Sequence, residues 1–274
     1  MDIRTTVNLS NGVKMPVFGL GVFMSKEGLE VESAVETALE AGYRHIDTAA
    51  VYGNERGVGR AIRRSGIPRK EIFITSKVWN SDQGYLTTFD AFRETLERID
   101  TDYIDLYLIH WPKGALSLET WKAMEEIYAS GRAKAIGVSN FLVHHLEELL
   151  PQCKVAPMVD QVEFHPYLQQ PDLQSFCRSH AIQFEAWSPI MKGRVNEIPL
   201  LQELAAQYGK TPVQVTLRWE LQKGIVAIPK SVHRDRILSN AGIFDFEISG
   251  ADMGKIDSLD RHHRVGADPD HINF

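Results

Sequence analysis

The chain has 274 residues, of which 43% are hydrophobic and 24% are charged. This length and composition suit one globular domain with a large core, so we predict a single domain over residues 1–274. The formal net charge of −6 arises from 30 basic and 36 acidic residues that are mixed along the chain. No basic stripe is available to follow a phosphate backbone, and we expect no nucleic-acid partner.

A membrane-spanning function and a cysteine-based metal or disulfide function are also disfavoured. No apolar stretch reaches the ~20 residues of a membrane span, and residues 1–6 carry charges where a secretory signal would be apolar. Cys153 and Cys177 are too few for a disulfide framework and lack the C-x-x-C spacing of a zinc or redox pair. We expect a cytoplasmic monomer without a membrane partner, in which both cysteines are buried apolar fillers.

The first predicted element is a hairpin. Two short apolar runs, at residues 6–9 and 13–16, flank Asn11-Gly12. Asn-Gly between such runs is the strongest short signal for a turn between antiparallel strands. We therefore predict a small hairpin ahead of the main sheet.

Eight short runs rich in β-branched and aromatic residues follow, and each predicts a strand. They cover residues 17–23, 44–48, 71–77, 103–109, 133–138, 158–164, 182–187 and 225–228. Helical patterns separate them, with apolar stripes that end before Gly42, Gly131 and Gly209 and a capping box that begins at Thr211. Strands that alternate with helices pair in parallel, so eight units predict a (β/α)8 TIM barrel; an open doubly wound sheet is the alternative.

Polar and aromatic residues stand near the ends of six predicted strands. In a parallel barrel these ends and the loops after them build one mouth, where reacting groups lie. The residues at these ends are Asp47, Lys77, His110, Ser139-Asn140, Gln161 and Trp187-Ser188.

Asp47 and Lys77 close two consecutive apolar runs, where an unpaired charge would be costly to bury. Neighbouring strands lie ~4.8 Å apart, so we predict that the carboxylate and the ammonium pair. Tyr52 follows shortly after Asp47, and a nearby ammonium would lower the pKa of its phenol toward that of a useful proton donor. The alternative is that Asp47 caps its loop, Lys77 reaches solvent and Tyr52 packs on the rim.

His110 follows the fourth predicted strand, where its imidazole can hold the oxygen of a substrate carbonyl by a hydrogen bond. A purely structural histidine is the alternative. A metal-dependent barrel hydrolase is a second hypothesis, and its conceivable ligands are Asp47, His110, Glu163 and His165. No H-x-H or H-E-x-x-H spacing supports it, and we expect no metal.

Six segments match motifs of the aldo-keto reductase family in the family's order. They are GYRHIDTAAVYGNERGVG (42–59), ITSKVWNSDQG (74–84), YIDLYLIHWP (103–112), AIGVSNF (135–141), QVEFHP (161–166) and IPKS (228–231). From Leu9 to the C-terminus the chain resembles this family, which implies NADPH-dependent reduction of carbonyl substrates to alcohols. The resemblance implies that Tyr52 is the general acid. It further implies that Asp47 and Lys77 tune this acid and that His110 orients the carbonyl.

The resemblance also implies a cofactor site without the G-x-G-x-x-G fingerprint of a Rossmann unit, which the sequence lacks. Amide and hydroxyl groups can pair with a carboxamide, and an aromatic face supports a nicotinamide ring. The residues implied around the nicotinamide are Ser139, Asn140, Gln161, Trp187 and Ser188. Those implied around the 2′-phosphate and adenine are Lys230, Ser231, Arg236 and Asn240, with a solvated loop as the alternative. The aromatic residues expected in the substrate pocket are Phe23, Trp79 and Trp111.

The chain departs from the family pattern at three places. Asp160 stands where relatives more often have Asn, and Ser239 stands where an acidic or amide residue often contacts adenine. If Gln161 points toward the nicotinamide, Asp160 should point away, because neighbours on a strand face opposite sides. The third departure is a very short segment at 113–117, which leaves an open mouth.

This short rim is most similar to microbial members that include glyoxal and diketogluconate reductases. We therefore expect reactive aldehydes, dicarbonyls or keto-sugars as substrates. A cofactor-carrying, channel-associated subunit with little catalysis is the rival within the family. The presence of all four predicted catalytic side chains argues against it.

Overall fold

A computed structural model of the chain describes residues 1–272 and 274. Its first elements form a hairpin in which β1 (Thr6–Asn8) pairs antiparallel with β2 (Lys14–Pro16). Gly12 in the connecting turn has a φ of 84°, a backbone conformation that favours glycine. The predicted hairpin is confirmed.

Eight further strands form one parallel sheet in which each strand pairs with the next in chain order. They are β3 (Leu20–Gly21), β4 (His45–Asp47), β5 (Phe73–Val78), β6 (Ile104–Ile109), β7 (Ala133–Ser139), β8 (Val159–Glu163), β9 (Gln183–Trp187) and β10 (Val226–Ala227). Parallel bridges of Phe18 with Ala227 and of Gly21 with Lys230 join the last strand to the first. The sheet is therefore closed, which confirms the predicted TIM barrel over the open sheet.

Helices connect the strands and surround the barrel. They are α1 (Leu29–Glu40), α2 (Glu55–Arg64), α3 (Tyr85–Ile99), α4 (Ala115–Ala129), α5 (Val143–Leu149), α6 (Pro171–Ser179), α7 (Pro199–Tyr208), α8 (Pro212–Gln222), α9 (Arg234–Asn240) and α10 (Gly250–Asp257). At the start of α8, the Thr211 side chain accepts from the backbone N–H of Gln214, and the Gln214 side chain accepts from the backbone N–H of Thr211. This is the predicted capping box.

The barrel strands are buried on both faces, as expected when helices cover a closed sheet. Because all eight strands run in parallel, their carboxyl ends meet at one mouth, and the loops that follow them carry the predicted site. In the part of the chain that the structure describes, no helix combines the length and apolarity needed to cross a membrane.

The two cysteines are free thiols; Cys177 is buried and Cys153 is half-buried. Burial raises the pKa of the Cys153 thiol to about 12. A thiol of such high pKa is a poor nucleophile, in keeping with a packing role, but the predicted burial of both cysteines holds for Cys177 and not for Cys153.

Candidate active site

The buried ion pair between Asp47 and Lys77 lies at the ends of β4 and β5. Lys77 Nζ donates to both carboxylate oxygens of Asp47, each at 2.8 Å, and to the backbone oxygen of Thr48 at 2.9 Å. Burial disfavours the ammonium, but Asp47, together with Tyr52 and Glu185, outweighs that cost, and the pKa of Lys77 lies above its usual value. The predicted pair is confirmed, and it places a permanent positive charge inside the mouth.

Tyr52 ends a single 3-10 turn, Ala50–Tyr52, directly after β4. The fully buried Asn54 fixes this turn, because its Nδ2 donates to the backbone oxygens of Val22 (2.9 Å) and Ser25 (3.0 Å). The Thr48 hydroxyl donates to Asn54 Oδ1 at 2.8 Å. Asn54 thus ties the loop after β4 to the loop after β3, a supporting role that sequence reasoning missed.

The acidity of Tyr52 differs from the expectation. Lys77 Nζ lies 5.3 Å from the centre of the Tyr52 ring, close enough for its charge to favour the phenolate. Burial nevertheless raises the pKa of Tyr52 to about 12; the Lys77 charge opposes this rise, and the Asp47 carboxylate adds to it. The predicted net lowering was wrong, because desolvation outweighs the lysine. Tyr52 therefore keeps its proton throughout the neutral range.

His110 packs against Tyr52 with 5.6 Å between the ring centres. Burial, reinforced by the Lys77 charge, holds the pKa of His110 well below its usual value, so the imidazole is neutral. Its Nδ1 has no hydrogen-bond partner among the described residues. A neutral imidazole next to a phenol can hydrogen-bond the same oxygen atom of a ligand.

The three aromatic residues predicted in the substrate pocket surround Tyr52 and His110. The Phe23 ring centre lies 5.0 Å from that of Tyr52, and the Trp79 and Trp111 ring centres lie 5.0 and 6.5 Å from that of His110. The C-terminal residue Phe274, which sequence reasoning missed, stacks on Trp79 with 5.7 Å between centres and 7° between planes. Phe274 therefore forms part of the mouth.

Four residues predicted to contact the nicotinamide form one hydrogen-bonded cluster. Ser139 Oγ donates to the backbone oxygen of Gln161 at 2.8 Å, and Asn140 Nδ2 donates to Ser139 Oγ at 3.0 Å. Trp187 Nε1 donates to Asn140 Oδ1 at 2.8 Å. Ser188 follows Trp187, and its buried hydroxyl has no partner among the described residues.

The C-terminal segment is fixed beside Trp187 by Glu163, a fully buried residue at the end of β8. A carboxylate oxygen of Glu163 accepts from the backbone N–H groups of Val265 (2.6 Å) and Gly266 (3.1 Å). A Cβ at Gly266 would lie 2.3 Å from Cη2 of Trp187, so a side chain at position 266 would collide with the indole. Glu163 therefore holds Gly266 against the indole of Trp187.

The four residues predicted around the 2′-phosphate and adenine lie after β10 and on α9. Ser231 and Asn240 are buried, whereas Lys230 and Arg236 are exposed. Ser231 Oγ accepts from the backbone N–H of His233 at 3.1 Å and so shapes the turn into α9. Neither exposed cation forms an ion pair with another described residue, whereas the neighbouring Arg234 pairs with Glu40 at 3.1 Å.

Asp160 lies on the opposite side of β8 from Gln161. It is fully buried and lies close to the thiol of Cys177 in α6, so it faces the outer helices. Burial raises its pKa well above the usual value, which favours the neutral acid.

The four residues considered as ligands of a hydrolase metal do not form a ligand set. The Asp47 carboxylate is paired with Lys77. The Glu163 carboxylate lies 3.0 Å from His165 Nε2 and accepts from the backbone N–H of Val265. Within residues 1–272 and 274, the group with metal-ligand spacing is the surface cluster His144, His145 and Asp270, which contains none of the four.

The mouth of the closed parallel barrel combines a neutral phenol and imidazole, a buried ion pair below them, and a cluster of amide and indole groups beside them. Together these features define an oxidoreductase-type barrel site. Residues 18–261 match the model of the Aldo/keto reductase family, and the chain belongs to this family. It is therefore an oxidoreductase.

Individual relatives are similar over nearly their full lengths. The chain is 54% identical over 273 residues to the glyoxal reductase of Bacillus subtilis (strain 168), covering 100% of this chain and 99% of that one. It is 44% identical over 270 residues to the methylglyoxal reductase DkgA of Escherichia coli (strain K12), covering 97% of both. A crystal structure of a Gox0644 mutant in complex with NADPH superposes with a TM-score of 0.92 at 41% identity, covering 98% of this chain and 99% of that one.

Proposed function

We propose that this protein reduces reactive aldehydes, dicarbonyls and keto-sugars to alcohols with NADPH, and that Tyr52 is the proton donor. The observation that carries the proposal is the contact between Tyr52 and the neutral His110 above the buried Lys77–Asp47 pair. Family membership and similarity to two dicarbonyl reductases support the reaction and the substrate class. The NADPH complex of a relative supports the cofactor.

The residues present fit a nicotinamide. Both N–H groups of the Gln161 amide donate to carboxyl groups, to Asp47 Oδ2 at 2.8 Å and Glu185 Oε2 at 2.9 Å. Its carbonyl oxygen, which accepts from no described residue, is therefore available to the NH2 group of a carboxamide. The half-exposed ring of Trp187 offers the planar support. When bound, NADPH supplies the hydride.

The proton chemistry follows from the charges around Tyr52. A substrate carbonyl oxygen that lies between the Tyr52 hydroxyl and His110 becomes strongly basic as its carbon is reduced. Tyr52 then gives up its proton to that oxygen although its resting pKa is high. The Lys77 ammonium stabilises the resulting phenolate, and Asp47 keeps that ammonium in place.

The function is tested by following the loss of NADPH absorbance with glyoxal, methylglyoxal, a simple aldehyde and a keto-sugar, each with and without a chelator. We expect turnover that requires NADPH and is insensitive to the chelator. Cofactor binding without turnover of any carbonyl would instead favour the non-catalytic subunit. Chelator-sensitive activity that needs no nicotinamide would favour the hydrolase. Either result contradicts the proposal.

Cofactor preference is a further prediction. A guanidinium can fork onto two phosphate oxygens, and each charge-assisted contact changes affinity by roughly tenfold or more. NADPH should therefore bind at least about tenfold more tightly than NADH, and Arg236→Ala should remove most of that margin with little change in NADH binding. Titration of intrinsic tryptophan fluorescence with both cofactors measures this. The matched control is Arg234→Ala, which removes the neighbouring arginine paired with Glu40. Equal affinities of the unsubstituted protein would overturn the assignment.

A further inference from the structure

We propose that Glu185 is a positioning residue that holds a proton beneath the Asp47–Lys77 pair and thereby sets the alkaline limit of carbonyl reduction. Glu185 is fully buried in the centre of β9. Glu185 touches neither Tyr52 nor His110, the two groups expected to contact the substrate carbonyl. The proton transfer proposed for Tyr52 does not use it. The kinetic consequence of this inference rests on the proposed function, whereas the location of the proton does not.

Glu185 is linked to the catalytic pair through a single amide. Its Cα pairs with that of Gln161 on β8. The Gln161 NH2 group donates one hydrogen bond to Asp47 Oδ2 (2.8 Å) and one to Glu185 Oε2 (2.9 Å). Two carboxyl groups therefore share one amide nitrogen, and a charge on one acts directly on the other.

The cations around Glu185 are too few for both carboxyl groups to ionise. The ionisable groups that face it are Asp47 and His45 from β4, Lys77 from β5 and, beyond them, Tyr52; β10 contributes Val226 beside it. Lys77 binds Asp47 directly. Like charges this close together in a buried site disfavour double ionisation, so one carboxyl group retains a proton.

His45 does not supply the missing positive charge. Its Nε2 lies 3.7 Å from Glu185 Oε1 but forms its hydrogen bond with the Thr75 hydroxyl at 3.0 Å. Burial, with the Lys77 charge, lowers the pKa of His45 to about 3, so the imidazole is neutral. Oε1 of Glu185 accepts from no N–H or O–H group among the described residues, and a buried carboxylate oxygen without a donor would be costly.

The direction of the pH effect follows. Burial and then the Asp47 charge raise the pKa of Glu185 to about 8, against the opposing effects of Gln161 and Lys77. Below that pH Glu185 is neutral; above it, its negative charge contributes to the raised pKa of Tyr52 and makes the phenol a weaker acid. Reduction should therefore slow near pH 8, far below the pH at which Tyr52 itself loses its proton.

The kinetic test compares the kcat for reduction of a simple aldehyde from about pH 6 to about pH 10 at saturating NADPH. In the unsubstituted protein we expect kcat to fall on the order of tenfold around pH 8. In Glu185→Gln, which keeps the shape but cannot ionise, this fall should disappear. The matched control is Glu220→Gln, which neutralises another fully buried carboxyl group, on α8, whose pKa burial also raises. The fall should persist in this control.

A fall that persists unchanged in Glu185→Gln, or its absence from an active unsubstituted protein, would overturn the inference. Absence of any turnover would count against the proposed function and not against this inference. In that case the proton on Glu185 is located by a measurement that does not require activity. Carbon-13 NMR of labelled glutamate carboxyl groups should show one signal that titrates near pH 8 in the unsubstituted and Glu220→Gln proteins and is missing from Glu185→Gln. If no glutamate carboxyl group of the unsubstituted protein titrates near pH 8, Glu185 holds no such proton. This result does not depend on whether Glu185→Gln folds.

Discussion

Tyr52→Phe is expected to lower the turnover number for aldehyde reduction by ~10² or more. The substitution removes the transferable proton but keeps the ring, which packs against Phe23 and His110. Substrate and cofactor sites should therefore remain formed. The measurement is kcat at saturating NADPH and aldehyde, together with the dissociation constant for NADPH, which should change little.

The control for this variant is Tyr85→Phe. The Tyr85 hydroxyl donates to Glu126 at 2.7 Å on the outer surface, between α3 and α4. Its removal deletes a phenolic proton elsewhere on the barrel and should leave turnover unchanged. Near-normal turnover of Tyr52→Phe would exclude Tyr52 as the proton donor.

Lys77→Met is expected to affect both stability and turnover. Lys77 is fully buried, and its removal leaves the Asp47 carboxylate uncompensated in the barrel interior. Loss of one partner of a buried ion pair typically costs about 3–5 kcal/mol in the free energy of unfolding. Turnover should also fall about a hundredfold, because the phenolate loses its stabilising charge. Urea unfolding monitored by circular dichroism and steady-state kinetics measure the two effects.

The double variant Asp47→Asn/Lys77→Met separates the two effects. It removes the unpaired charge, so it should recover much of the unfolding free energy that the single variant loses. It should not recover turnover, since Lys77 is still missing. A double variant no more stable than Lys77→Met would contradict the assignment of the loss to an uncompensated carboxylate.

The architecture was predictable because its signals are local. Each barrel strand overlaps one predicted run, with β5 and β7 each extending one residue beyond it, and each predicted stripe before a glycine corresponds to a helix. The limits of β3 and β10 were less predictable. Each has only two residues, because the barrel closes there through isolated bridges at Phe18 and Gly21 and not through an extended ladder.

The pairing of Asp47 with Lys77 was predictable because two charges at consecutive strand ends have few other ways to be satisfied. The net direction of the Tyr52 pKa was not predictable. The sequence places the lysine near the phenol but does not reveal how deeply the phenol is buried, and burial is the larger effect. Acidity at such a site depends on a balance that only the packed structure specifies.

Residues that act through tertiary contacts were missed for the same reason. Glu163 holds the backbone of residues 265 and 266, and Phe274 stacks on Trp79; both contacts join positions far apart in the chain. A signal for Glu163 and Glu185 did exist. Each is a carboxyl group in a predicted barrel strand, where a buried charge without a partner is costly and a specific role is therefore expected.

The proposed reaction is hydride transfer from NADPH to a carbonyl carbon, with the proton supplied by Tyr52. Its most direct test is to incubate the unsubstituted protein with glyoxal and NADPH deuterated at the transferring position of C4 and to analyse the product by mass spectrometry and NMR. We expect one deuterium on the carbinol carbon of the product for each NADPH oxidised, and a rate at least ~10² lower in Tyr52→Phe with the label at the same carbon. Oxidation of NADPH without deuterium at that carbon, or equal rates in the two proteins, would contradict the account.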